Sequence, residues 1–222
     1  ALASTLALIA GMAAAEDIKV GVSVGEHAEI MEQVAEVAKT KGLNIDIIEF
    51  TDYVVPNQAL NDGDLNANSF QHQPYLDNQI KDRGFELVTI GKTITTPMGA
   101  YSEKLKSLDE LADGAKIAIP NDPTNGGRAL LLLQDKGVIK LADGVGLSPT
   151  PLDVTENAKN VEFLELDAAQ LPRALVDADV AIINTSYALE AGLNPEKDAI
   201  AIENADGPYA NIIVVHKGDE NA

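Results

Sequence analysis

Cysteine is absent from all 222 residues. That excludes a disulfide framework and a thiolate metal site, and it leaves no cysteine to carry a lipid anchor. Histidine is nearly as scarce: His27, His72 and His216 lie far apart, with no H-x-x-x-H pair. Metal-ligand spacing is missing, so neither a metal nor another cofactor is expected. Basic residues number 16 against 35 acidic ones, a net charge of −19. A field of that sign repels nucleic acid and anionic membrane, and it helps to keep a protein soluble and monomeric. Long apolar runs are missing too. The uncharged residues 1–15 are shorter than the roughly 20 residues needed to cross a bilayer.

Those fifteen residues, "ALASTLALIAGMAAA", end in Ala13-Ala14-Ala15 immediately before Glu16-Asp17. Such an ending fits the apolar region and cleavage site of a secretory signal whose basic leader and initiating Met are missing. Residues 1–15 are therefore set apart as a signal-peptide remnant. Export without an anchoring cysteine predicts a freely diffusing periplasmic protein.

What remains alternates. Strand patterns at 18–22 and 43–50 flank an amphipathic helix at 28–41, with helical composition at 57–61. The alternation restarts with strands at 116–120, 161–166 and 180–184 and helices at 128–136, 168–176 and 186–191. This β-α-β-α order predicts an α/β fold of parallel sheets faced by helices. Two units follow: residues 16–100 with 204–222, and residues 101–203. The last strand, 209–216, is assigned to the first unit, although composition alone does not decide that return. A ligand is expected in the cleft between the units, beyond the carboxyl ends of strands.

Several stretches carry candidate chemistry. Gly21-Val-Ser-Val-Gly25 matches the G-x-S-x-G nucleophile elbow, which would make Ser23 the nucleophile of a hydrolase. No earlier strand–helix loop of the mature chain exists to build its oxyanion hole, and a tight glycine-bounded turn explains the pattern as well. "PNDPTNGGRALLLL" (120–133) ends a strand, turns through two prolines and two glycines, and opens a helix near 126–128. Free amides there attract an anion. Arg128 on that first turn would be misplaced unless a ligand carboxylate met its two parallel donors, or an acidic side chain paired with it. Asn184 closes an apolar strand and Asn211 interrupts another. Together with Arg128 they could serve both ends of a zwitterion. "NANSFQHQPYLD" (66–77) gathers Phe70, His72 and Tyr75 in a chain that is only 4% aromatic. A small apolar cluster or a ligand wall would both account for that.

The segments "DIKVGVSVGEHAEI", "FTDYVVPNQAL", "GDLNANSFQHQPYLD", "SLDELADGAKIAIPNDPTNGGRALLLL", "QLPRAL", "INTSYA" and "PYANIIVVHK" resemble the substrate-binding proteins of methionine ABC importers, the MetQ/NlpA family. The resemblance runs through nearly all of residues 17–217. It implies a two-lobed periplasmic-binding-protein fold of type II, no enzymatic activity, and delivery of L-methionine or its D enantiomer to a membrane permease. It also implies that Tyr53, Phe70, His72 and Tyr75 wall the thioether side chain. Arg128 would take the α-carboxylate, with Asn125, Asn184 and Asn211 bonding the carboxylate and ammonium. Two departures stand out: many members carry an N-terminal lipid-anchored cysteine, and relatives continue with helical sequence past the position of Ala222.

Overall fold

The structure, a computed structural model, describes residues 16–221; the leader read at residues 1–15 lies outside them. The chain runs through β1 (Glu16–Ser23), α1 (Glu26–Lys39), β2 (Leu43–Phe50), α2 (Val55–Asn61), β3 (Ala67–His72), α3 (Gln73–Arg83) and β4 (Leu87–Thr95). Next come β5 (Gly99–Tyr101), β6 (Lys116–Pro120), α4 (Pro123–Asp135), β7 (Lys140–Leu141), β8 (Val154–Glu156) and β9 (Glu162–Leu166). The remainder is α5 (Leu171–Ala174), β10 (Val180–Ile183), α6 (Thr185–Glu190), α7 (Pro195–Asp198), β11 (Ala201–Ile202) and β12 (Ala210–His216).

These strands form two five-stranded sheets, ordered β2-β1-β3-β12-β4 and β11-β5-β10-β6-β9, with β7 and β8 paired separately. The architecture is mixed α/β, as the alternation of strands and helices predicted. Parallel pairing holds where strand and helix alternate, as in β2-β1-β3 and β10-β6-β9. It fails at the crossings between the sheets. β12 returns to the first sheet and runs antiparallel between β3 and β4, and β5 runs antiparallel to β10 and β11. A strand that enters a sheet directly from the other one has no crossover helix to turn it parallel. β5 lies wholly in the second sheet, so residues 99 and 100 belong there rather than to the first unit.

Each sheet is covered on both faces. α1 sets Ala28 and Met31 against Val20 and Val22, while Leu60 and Leu76 cover the opposite face beside Ile212 and Val214. In the second sheet, Leu130 and Leu133 of α4 pack on Ile117 and Ile119. Leu171, Leu175 and Tyr187 pack on the other side, joined by Val24 and Tyr53 from the first-sheet segment.

The stretch around Phe70 becomes β3 followed by α3. All six residues of β3 are buried although four of them are polar, and this hid the strand from an apolar-pattern reading. Asn57, Asn68 and Gln71 bond one another: Asn57 Nδ2 donates to Gln71 Oε1 at 2.7 Å, Asn68 Nδ2 to Asn57 Oδ1 at 2.9 Å, and Gln71 Nε2 to Asn57 Oδ1 at 2.7 Å. A mutually satisfied amide trio makes such burial tolerable.

Candidate functional site

Opposite β12, the β3 ladder pairs Ser69 with Ile213 and Gln71 with Ile212, leaving Phe70 as one extra residue. A bulge of this kind re-aims side chains locally. Phe70 and His72 here face a cavity between the two sheets. His72 also caps α3, because its Nδ1 accepts the Tyr75 N–H at 3.2 Å. The proton then sits on Nε2, which donates to Asn125 Oδ1 at 3.1 Å across the gap between the sheets.

α4 begins at Pro123, capped by Asp122, and not near residues 126–128 as the glycines suggested. The Asp122 carboxylate accepts the Asn125 N–H at 2.9 Å, so an aspartate already occupies the expected anion seat. The two glycines serve packing instead. A Cβ on Gly126 would lie 2.7 Å from Pro120 O, and one on Gly127 would lie 2.6 Å from Ser148 Cα. Arg128 consequently falls in the second turn, and no conflict with the helix dipole arises.

Arg128 is 2% exposed. Its Nε donates to Glu203 Oε1 at 2.9 Å, and Nη2 donates to Glu203 Oε2 at 2.6 Å and to the Thr96 carbonyl at 2.9 Å. Its guanidinium carbon stands 4.2 Å from the centre of the Tyr209 ring. Of the two sequence readings of Arg128, the pairing with an acidic side chain is the one seen here, and the residue also lines the cavity. The correction is that its bidentate fork belongs to Glu203. Among the described residues, only Nη1 forms no hydrogen bond.

Tyr53, Phe70, His72, Tyr75, Asn125, Arg128, Asn184 and Asn211 all line this one cavity. The rings of Tyr53, Phe70 and Tyr75 lie 6.0–6.4 Å apart, with Phe70 and Tyr75 edge to face. Tyr75 OH donates to the Tyr53 carbonyl at 2.8 Å, which fixes one ring's backbone by the other's hydroxyl. Asn184 Nδ2 donates to Asn125 Oδ1 at 3.1 Å, and its own Oδ1 is buried with no partner. Asn211 Nδ2 donates to Thr96 Oγ1 at 3.2 Å. Thr185 and Ser186 complete the lining with His27, Gln71 and Thr96, none of which the sequence singled out. Nor did it single out Glu203 or Tyr209, which stand behind Arg128; the only hint was an acidic residue at the end of a short strand.

Electrostatically the lining is neutral apart from one guanidinium, because no Asp or Glu lines the cavity among the described residues. Burial, reinforced by the Arg128 charge, pushes His72 down to about 3. Burial likewise pushes His27 down to about 4. The His27–Glu26 approach of 3.9 Å is thus a contact of a neutral ring and not an ion pair. Burial raises the phenols of Tyr53 and Tyr75, so both stay protonated.

Ser23 is fully buried and its Oγ bonds no histidine among the described residues. Gly25 adopts φ +82° with the Ser186 carbonyl 3.0 Å from where a Cβ would stand. The G-x-S-x-G pattern thus marks a close approach between the two halves.

The sequence profile described as NlpA lipoprotein matches residues 18–222. The chain belongs to the NlpA lipoprotein family. It is 56% identical over 208 residues to the D-methionine-binding lipoprotein MetQ of Salmonella typhimurium, covering 92% of this chain and 77% of that one. A crystal structure of the methionine-binding protein MetQ superposes with a TM-score of 0.91 at 55% identity, over 93% of this chain and 85% of the other. A nutrient-binding protein from Burkholderia cenocepacia, bound to methionine, gives 0.90 at 56% identity, over 92% and 86%. These NlpA relatives are binding proteins by name.

Proposed function

We propose that this chain is a substrate-binding protein that captures methionine in the cavity between its two sheets and delivers it to the membrane permease of an ABC importer. The carrying observation is the set of unused groups around one cavity. A cationic donor, Arg128 Nη1, and a buried unpartnered acceptor, Asn184 Oδ1, share it with a wall of four rings. The donor suits a carboxylate and the acceptor an ammonium, whereas a ring wall suits a thioether, each sulfur–aromatic contact contributing about 0.3–1.5 kcal/mol. The named binding partners of the NlpA relatives point the same way.

In this reading the two sheets with their helices are two lobes, residues 16–98 with 204–222 and residues 99–203, and the protein works in the periplasm. Asn125 holds His72 and Asn184 in place from the second lobe, while Asn211 completes the polar end. Closure is a population shift: a ligand that touches both lobes favours the form in which they meet. Contacts available to that form include His72 with Asn125, Ser186 Oγ with Glu26 Oε1 at 3.0 Å, and Tyr187 OH with the Thr51 carbonyl at 3.3 Å.

The test is native mass spectrometry of freshly purified protein, followed by calorimetry with L-methionine, D-methionine and leucine. Retained methionine, with either enantiomer preferred to leucine, is the expected result. Tighter binding of leucine, or no binding of any of the three, would reject the assignment.

A further inference from the structure

Glu203 follows β11 on the second crossing between the sheets, and it does not line the cavity. Its carboxylate receives Arg128 Nε and Nη2, and Oε2 also accepts the Met98 N–H at 3.1 Å. Met98 and Thr96 lie on the first crossing, so one carboxylate and one guanidinium join both crossings to α4. Nothing in the methionine reading demands such an acid, since a lone arginine can grip a carboxylate unaided.

Its effect on Arg128 is geometric. A free guanidinium offers a carboxylate its Nε/Nη2 edge or its Nη1/Nη2 edge. Glu203 fills the first edge, the Thr96 carbonyl takes the remaining Nη2 hydrogen, and Tyr209 stacks against the guanidinium plane. Only Nη1 is left, so the direction from which a ligand carboxylate can approach is set by Glu203. We propose that Glu203 is a positioning residue for carboxylate recognition, holding Arg128 against both crossings so that Nη1 alone meets the ligand. This rests on the reading of the cavity as an amino-acid site.

Glu203→Asp keeps the charge and withdraws the carboxylate by one methylene. Binding of methionine and of methioninamide, which lacks the carboxylate, is measured for both proteins by calorimetry alongside their melting temperatures. Loosened aim should weaken methionine about tenfold and methioninamide less than about threefold, so that selectivity for the free acid falls. Equal losses for both ligands, in step with the melting temperature, would overturn the proposal, as would unchanged methionine affinity. A second measurement needs no variant: nitrogen-15 spectra of the arginine side chains. Added methionine should shift the Arg128 Nη1 signals and leave Nε in place, and a displaced Nε signal would overturn the proposal. Wild-type protein that binds neither ligand would instead refute the cavity's assignment and this inference with it.

Discussion

On one side of the cavity, Tyr53, Phe70, His72 and Tyr75 hold their places by ring packing, a strand bulge and a helix cap, and every one of them is neutral. On the other side, Arg128 is fixed by an ion pair and by carbonyl and ring contacts from the two crossings. The first wall comes from consecutive elements of one segment. The second is assembled from α4, residue 96, residue 203 and residue 209. Shape recognition needs only a rigid local surface, whereas a buried charge needs partners, and the chain brings those from wherever the fold can supply them. The ring wall should therefore tolerate repacking, and the charged wall should fail as a unit.

The sharpest way to break this contrast is Arg128→Met. It strands Glu203, which is mostly buried, and should cost about 3–5 kcal/mol of stability in urea unfolding. Adding Glu203→Gln should return much of that stability while methionine affinity stays low. A single variant of unchanged stability would mean the pair is not a unit.

A smaller effect comes from pH. His72 is held down to about 3 and His27 to about 4 by burial, both below the free value near 6.5. The unfolded chain therefore binds more protons between those values, and stability is lost as pH falls below about 6.5, by up to roughly 1.4 kcal/mol per unit for each ring. Burial raises the Glu26 carboxyl, which works against this trend, so the test is the comparison: denaturation midpoints should fall less steeply between pH 7 and 5 in His72→Gln than in the wild type, because one linked ring is gone. Equal slopes for the two proteins would show that His72 is not buried neutral.

The smallest effect tests the ring wall. Phe70→Leu nearly conserves volume, so stability should drop by less than about 1.5 kcal/mol. Methionine binding should weaken by about 0.3–1.5 kcal/mol, as one sulfur–aromatic contact is lost. A loss as large as that of Arg128→Met would erase the distinction between the walls.

Local pattern made much of the fold legible. Strands at 43–50 and 116–120 agree with the structure at both ends, because the first alternates polar and apolar residues and the second is a short apolar run. β3 was illegible, since its burial depends on Asn57 from α2 answering Asn68 and Gln71. The start of α4 was misread for a related reason. Gly126 and Gly127 look like a loop, yet they are helical and exist for close approaches to Pro120 and Ser148.

By itself, the amino-acid order determined the alternation of strands and helices, the exclusion of thiolate chemistry, and the presence of a ring cluster, one arginine and two asparagines worth watching. Those are properties of composition and short-range periodicity. Only the tertiary structure decided that β12 returns between β3 and β4, that those side chains meet at one cavity, and that Glu203 takes the fork of Arg128. Each of those depends on residues 53 or more positions apart, and burial forces such distant polar groups to satisfy one another in a way no local window can display.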